Sequence, residues 1–507
     1  MSVSSRVGSG ADFEAGLSRH FLRGLVKDKD EPVDARWASL GEVTGQKWRF
    51  GSEPGMMFLG YRDGLMIGRK DDRHQITIGG SRGGKGVSLI IPTLATYEGN
   101  VIAIDPKGEL ARVTSRCRLR RLGQKVIVLD PFGQSGLPAN SYNPLAEILE
   151  YAPDDVEKKR RWPTAIDDAL AIAEALVVQS SSETYWSDAA KALIQALILF
   201  TLVGCEPKDR NLLAVRDFIA LRDRVVVEEA ASHDGNKAIA LFKLMELEKE
   251  PFNGVIAGVA AQFLSMGERE RGGVMSNAKT QTDFLDSDGL ASCLRSSDFS
   301  LDDVKKKPTT LYLCLPASNM GTHAKWLRMI ITMALRMCER VKIEPPPPHP
   351  VLFVLDEFSV LGHMRVIESA AGQMAGYGVK LWTILQDLGQ LQNAYKGTWE
   401  TFFGNAAIAT FHAVADVTTL EYLSKRLGTR TFKVQVSTDA NFNAVTHAGA
   451  VSSSNLQNQP LAPPHELEFA LARERKRMVV LFPGSRPLIL ERAISHDEHE
   501  TWLELLA

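Results

Sequence analysis

Ile76-Thr77-Ile78-Gly79-Gly80-Ser81-Arg82-Gly83-Gly84-Lys85-Gly86-Val87-Ser88 runs from a β-branched segment through a glycine-rich turn to a lysine and the start of an apolar run. This is the layout of a phosphate-binding loop. Backbone N–H groups of such a turn wrap a polyphosphate, and the positive end of the following helix adds to the attraction. Gly79, Gly84 and Lys85 stand at the spacing G-x-x-x-x-G-K. Gly86 occupies the place where a Ser or Thr usually follows the lysine. The residues expected to hold phosphates are Gly79, Gly80, Ser81, Arg82, Gly83, Gly84, Lys85, Gly86, Val87 and Ser88.

A second segment far downstream supports a nucleotide site. Val351-Leu352-Phe353-Val354-Leu355 reads as a strand buried on both faces, and Asp356-Glu357 follow at its C-terminal end. In open α/β sheets that edge binds ligands. An aspartate there can organise Mg²⁺, and the adjacent glutamate can act on water. The alternative role for the pair is to cap the next helix.

Around these two segments, strand signals recur at Val101–Asp105, Val126–Asp130, Thr310–Pro316, Val379–Leu385, Ala406–Phe411 and Met478–Phe482. Helical patterns at Glu109–Leu122 and His323–Val341 alternate with them. The order predicts an α/β fold with a mostly parallel, helix-covered sheet. Between these halves the apolar spacing turns helical, as in Ala169, Ile172, Ala173, Leu176 and Ala189, Leu193, Ala196, Leu197, Phe200. The expected organisation is a polar arm (1–50) with a short helix near Trp37–Val43, a nucleotide-binding domain in two parts (51–153 and 276–507), and an inserted all-α domain (154–275). Residues 56–68 look strand-like. Residues 435–460, rich in Ser, Asn, Gln and Thr, read as a flexible loop.

The chain has 507 residues, long enough for two or three domains. Its 59 basic and 61 acidic side chains leave a net charge of −2, unlike a globally basic nucleic-acid binder. Local basic clusters at Lys158–Arg161, Lys305–Lys307 and Arg473–Arg477 read as solvated faces or as local footprints. Five scattered cysteines form no CxxC pair, which fits a reducing cytoplasm. No segment has the roughly 20 uninterrupted apolar residues that span a bilayer. The nearest, Ala192–Gly204, reads as a buried helix.

Further segments resemble those of one family. Ala35-Arg36-Trp37-Ala38, Arg82–Val87, Asp105-Pro106-Lys107-Gly108-Glu109, Tyr185-Trp186-Ser187-Asp188-Ala189-Ala190, Glu268–Val274 and Gln386–Leu391 with Trp399 and Gly404-Asn405 are similar to signatures of the type IV coupling proteins, conjugative transfer ATPases of the TraG/TraD type. In that family glycine after the loop lysine is common. The resemblance covers residues 34–495. It implies a RecA-like P-loop NTPase domain with an inserted helical domain, using ATP and Mg²⁺. It also implies a homo-hexameric ring when active, with a monomer in isolation also compatible. The implied partners are single- or double-stranded DNA, a relaxase or effector protein, and the channel ATPases and inner-membrane components of a type IV secretion system. Family members carry an N-terminal anchor of two membrane helices, which this sequence does not show. The expectation is therefore either a chain cut short of its anchor or a form naturally without it, cytoplasmic or peripheral at the inner membrane.

The roles implied for such a motor are as follows. Lys85 reaches the terminal phosphates, Asp356 organises Mg²⁺, and Ser88 offers a hydroxyl to Mg²⁺ or phosphate. Glu357 is the candidate general base, and Gln386 senses the γ-phosphate or simply caps its strand. Arg269 or Arg271 is the arginine offered to a neighbouring subunit's site, or a plain surface residue. Lys107 and Glu109 contact the nucleotide or close a turn. A soluble DNA pump without a secretion partner and a nucleotide-gated adaptor are the competing functions.

Overall fold

The computed structural model describes residues 34–45, 47–148, 164–178, 184–436 and 453–493, together with 502, 504 and 506. The Lys158–Arg161 cluster and residues 1–33 of the arm lie outside the described residues.

Thirteen strands are described: β1 Met57–Arg62, β2 Leu65–Arg69, β3 His74–Gly79, β4 Val101–Asp105, β5 Lys125–Leu129, β6 Thr309–Cys314, β7 Val351–Leu355, β8 Val379–Leu385, β9 Ala406–His412, β10 Thr429–Val436, β11 Ser453–Pro460, β12 Arg477–Leu481 and β13 Leu488–Glu491. Eleven form one sheet in the order β2-β1-β13-β12-β9-β3-β8-β7-β4-β6-β5. From β9 to β5 every neighbour is parallel. From β9 outward through β12, β13, β1 and β2 every pairing is antiparallel.

The apolar runs explain the parallel part. In β7, Val351, Phe353 and Leu355 enter one core, while Leu352 and Val354 enter the core on the opposite face. Ile102 and Ile104 of β4 alternate with Val101 and Ala103 in the same way. Successive side chains of a strand point to opposite faces, so a continuously apolar strand is stable only when both faces are covered. Each buried aliphatic side chain contributes about 1.5–3 kcal/mol to that preference.

Helices Ala165–Leu176, Thr184–Gly204, Leu212–Ala220, Lys237–Glu246, Val255–Ser265 and Glu268–Thr282 form the helical block, and shorter helices continue it to Lys306 before β6. Among the described residues, Thr184–Gly204 is the one helix long and apolar enough to cross a membrane; 61% of its most apolar window is buried inside the protein. Two family signatures meet here. The Tyr185 hydroxyl donates to Glu270, and the Trp186 ring covers Gly273 so closely that a Cβ there would lie 2.7 Å from it.

Three expectations need correction. The polar segment 435–460 is not all loop: β10 and β11 pair antiparallel from Thr429↔Pro460 to Val436↔Ser453, and 437–452 lie outside the described residues. Ladder hydrogen bonds are made by the backbone, so a polar composition does not forbid them. The antiparallel extension contains β13, which the sequence pattern did not announce. Finally, Lys305 is not on a solvated face. It is buried, and its Nζ donates to the carbonyls of Cys338 (2.5 Å) and Val341 (2.6 Å) at the end of helix Ala317–Arg340, where cations are favoured.

Candidate nucleotide site

Three neighbouring strands, β3, β8 and β7, deliver the predicted chemistry to one edge of the sheet. The glycine loop follows β3, Gln386 follows β8, and Asp356-Glu357 follow β7. The loop is latched from beneath by the end of β9: Gly80 N–H donates to the carbonyls of His412 (3.3 Å) and Ala413 (3.1 Å). A side chain at Gly80 would overlap the Ala413 carbonyl, so the close approach requires glycine. Arg82 (φ +55°) and Gly84 (φ +81°) turn the chain through the left-handed region. Ser81 and Arg82 are exposed at the tip, Gly83 is buried, and Gly84, Lys85, Gly86 and Val87 are half-buried.

The helix behind the loop opens as a π-turn over Gly86–Ile90. Pro92 cannot donate to Ser88, and the preceding turn widens so that Ile91 N–H reaches Gly86. Ser88 does not fit the ligand role expected of it. It is buried, and its hydroxyl donates to the carbonyl of Ala493 at 2.9 Å.

Lys85 Nζ donates to the Gly79 carbonyl at 2.6 Å. Burial lowers its pKa, and the carboxylates of Asp356 and Glu357 oppose that shift. Asp356 is pushed up to about 6, first by burial, then by the charge of Glu357, with Lys85 pulling it back. Its Oδ1 accepts from Glu357 N–H at 3.1 Å. Glu357 has a left-handed backbone (φ +54°). That strain costs on the order of 1–2 kcal/mol for a residue with a Cβ and is typical of functional turns. Gln386 Nε2 donates to both Glu357 oxygens, at 3.1 and 3.4 Å. Gln386 therefore holds Glu357 rather than capping its own strand.

The other strand-end aspartates behave differently. Asp105 accepts from the backbone of Lys107 (3.3 Å) and Ala111 (2.9 Å), starting helix Glu109–Arg120. Asp130 accepts from Gln134 (2.8 Å) and from Ser135 N (2.6 Å) and Oγ (2.7 Å). Both close their own turns. Lys107 is exposed and near enough to depress Lys85 further, while Glu109 sits in the first turn of its helix. Arg269 and Arg271 lie on helix Glu268–Thr282 of the helical block rather than at this edge. Arg269 is exposed, and Arg271 donates to the Phe263 carbonyl at 3.1 Å.

Sequence reasoning missed two residues beside the loop. Arg492, just past β13, is buried; its guanidinium donates to the Gly83 carbonyl and, at 2.9 Å, to that of Arg473. With Arg82, Arg473 and Lys476 it makes a cationic cavity of ≈ 230 Å³ against Gly83, Gly84, Val87 and Ser88. The cluster Arg473–Arg477 was thus a usable signal, whereas Arg492 had none. His412, at the end of β9, is fully buried with no partner for either ring nitrogen among the described residues. Burial, with Arg492 and Lys85 nearby, lowers its pKa to about 3, so the ring is neutral.

The raised pKa of Asp356 has a measurable consequence. An unfolded aspartate titrates near 4, so the folded chain binds this proton more tightly than the unfolded chain does. Folding stability is therefore lost as pH rises from about 4 to about 6, and the loss persists above that. Asp356→Asn is expected to melt higher than wild type above pH 6, by about 2–3 kcal/mol of stability, and the difference is expected to shrink away near pH 4. Thermal melts across that range without Mg²⁺ or nucleotide would test it; equal melting at pH 7.5 would contradict it.

Fold and site together define a RecA-like α/β NTPase architecture carrying a helical block. The plasmid coupling protein TrwB, solved with the non-hydrolysable ATP analogue ADPNP and with ADP and Mg²⁺, has the same fold. Its TM-score is 0.58 in both cases at 15% and 14% identity, covering 92% of this chain and 95% of that one. The type IV secretion system-coupling protein VirD4 of Bartonella quintana is 28% identical over 425 residues, 83% of this chain and 62% of its own length. Protein VirD4 of Rhizobium radiobacter is 29% identical over 491 residues, 94% of this chain and 66% of its own. The chain thus spans less than two thirds of the length of these relatives. Residues 30–505 match the family described as Type IV secretory system Conjugative DNA transfer, and the chain belongs to that family.

Proposed function

We propose that this chain is the ATP-hydrolysing motor of a coupling protein, recruiting DNA with its bound relaxase, or a protein substrate, and pumping it into a type IV secretion or conjugation channel. The observation that carries this is the convergence of Lys85, Asp356, Glu357 and Gln386 at the ends of three adjacent strands, against a loop whose glycines leave its backbone open. TrwB's complexes with an ATP analogue and with ADP and Mg²⁺ support ATP and Mg²⁺ as what the site takes.

The residues fit those groups. Asp105 and Asp130 are each tied by two or more donors of their own turns, whereas Asp356 accepts from the adjacent Glu357 N–H and is close enough to the loop lysine to raise its pKa. When bound, Mg²⁺ would supply charge neutralisation at the β- and γ-phosphate oxygens. Asp356 would hold it, and Ser88 would not take part. The loop amides and Lys85 bind and orient the phosphates. The cationic cavity of Arg473, Lys476 and Arg492 extends that cradle. Glu357, aimed by Gln386, accepts the proton of the attacking water.

We further assign the working form to a homo-hexameric ring, with Arg269 or Arg271 offered to the adjacent subunit, at the inner face of the membrane beside the channel. The family membership supports these assignments. The helical block (165–306 by its helices) is the receiving domain. The test is ATP hydrolysis by the purified chain alone and with single- or double-stranded DNA. A rate that rises severalfold with DNA is expected, and the preferred strand form identifies the substrate. A rate indifferent to both would favour a protein substrate, and no hydrolysis at all would sink the motor.

A further inference from the structure

Arg328 sits midway along helix Ala317–Arg340 and is buried, with 7% of its surface exposed. Its guanidinium makes no ion pair with a carboxylate among the described residues. It donates instead to three backbone carbonyls on two sides. Nε reaches Ala175 (3.0 Å), in the last turn of the helical block's Ala165–Leu176. Nη1 reaches Leu361 (2.5 Å) and His363 (2.9 Å), in the segment leaving Glu357. Between Glu357 and His363 lie a single 3₁₀ turn, Phe358–Leu361, and Gly362, whose φ is +60°.

A buried guanidinium cannot lose its proton, and its five donors are set in a rigid plane. Three carbonyls around it are therefore held at mutually fixed positions. Loss of any one leaves a buried charge undersatisfied, so displacement of either side is resisted by the other. The same helix grips the helical block at two further points: Lys325 Nζ donates to Thr280 (3.2 Å) and Gln281 (3.0 Å), and Arg336 pairs with Asp168 at 2.9 Å. A cavity of ≈ 220 Å³ lies beside Arg328, lined by Glu174 and Lys191 of the helical block and by His363 and Arg365 of the other side.

We propose that Arg328 is a positioning residue that ties the helical block to the turn carrying Glu357, so that a shift of the block on receiving substrate changes where Glu357 stands. This rests on the motor function proposed above, with Glu357 acting on water. Arg328's hydrogen bonds go to Ala175, Leu361 and His363 and none goes to the phosphate loop among the described residues, so it should act on kcat and not on nucleotide affinity.

The test compares wild type, Arg328→Met and Arg328→Lys in ATP hydrolysis with and without DNA, and in hydrogen exchange at residues 358–364 and in the phosphate loop. For Arg328→Met, kcat is expected to fall about tenfold with KM for ATP within about twofold. Exchange should quicken at 358–364 with the phosphate loop unchanged. Arg328→Lys, which has one point donor group in place of the planar fork, should be intermediate; it also carries the test if Arg328→Met does not fold. Unchanged kcat in a folded variant, or equal loss of protection across the whole sheet, would overturn the proposal. Hydrolysis absent in wild type would fail the motor instead. The exchange difference at 358–364 is read without turnover, so the two failures are distinguishable.

Discussion

Replacing Lys85 by alanine is expected to lower the rate of ATP hydrolysis by about 10²–10³, and to weaken nucleotide binding as well. The reason lies in the charge balance at the sheet edge. Lys85 is the cation set against Asp356 and Glu357, and both carboxylates hold its ammonium protonated against the opposing effect of burial. Without it, two like charges on consecutive residues face each other alone, and Asp356, already pushed up to about 6, would rise further. The site would then meet a polyphosphate with less positive and more awkward charge. Arginine is a poor substitute, because the ammonium fits as a compact point donor on the Gly79 carbonyl at 2.6 Å. Steady-state hydrolysis paired with a direct nucleotide-affinity measurement checks this. A variant with wild-type turnover would remove the loop from the chemistry.

Glu357→Gln is expected to separate binding from turnover. The amide is nearly isosteric, and its oxygen can still accept from Gln386 Nε2, so the turn and its left-handed backbone should persist. What disappears is the ability to take a proton from water, worth typically about 10²–10⁴ in rate. Nucleotide affinity should stay near wild type, since neither Lys85 nor the loop amides change. Single-turnover hydrolysis with saturating nucleotide isolates the chemical step. An unaltered rate would assign proton removal to another group; a lost affinity would show that Glu357 shapes the pocket instead.

Much of this site was legible in the residues. The glycine loop, Lys85, Asp356, Glu357 and Gln386 each sit where an apolar strand stops, and an apolar run followed by turn residues is a local pattern. The miss at Ser88 has a plain cause. Its sequence position beside the loop lysine invites a ligand role, yet the C-terminal segment supplies Ala493 as its partner, 405 positions away in sequence. Arg492 escaped for the same reason: nothing near it in sequence refers to a phosphate loop. Lys305 lay in a run of charge that looks solvated, but helix Ala317–Arg340 ends over it.

By itself, the sequence determined the parallel strands, because burying both faces of a strand demands an unbroken apolar run. It also marked the loop, because its glycines free the backbone to turn, while the latch of Gly80 on His412 and Ala413 came from the fold. Strand order was decided only by the tertiary structure. Asp105, Asp130 and Asp356 all end apolar strands; the following Glu357 marks Asp356 in the sequence, but nothing local says which strands stand beside it. Asp356 faces Lys85 because β7 pairs with β8 and β8 with β3, while Asp105 and Asp130 fold back on their own turns. Sheet pairing joins segments hundreds of residues apart through backbone groups that every residue shares, so side-chain identity alone does not set the strand order that brings the Asp356-Glu357 pair beside the loop.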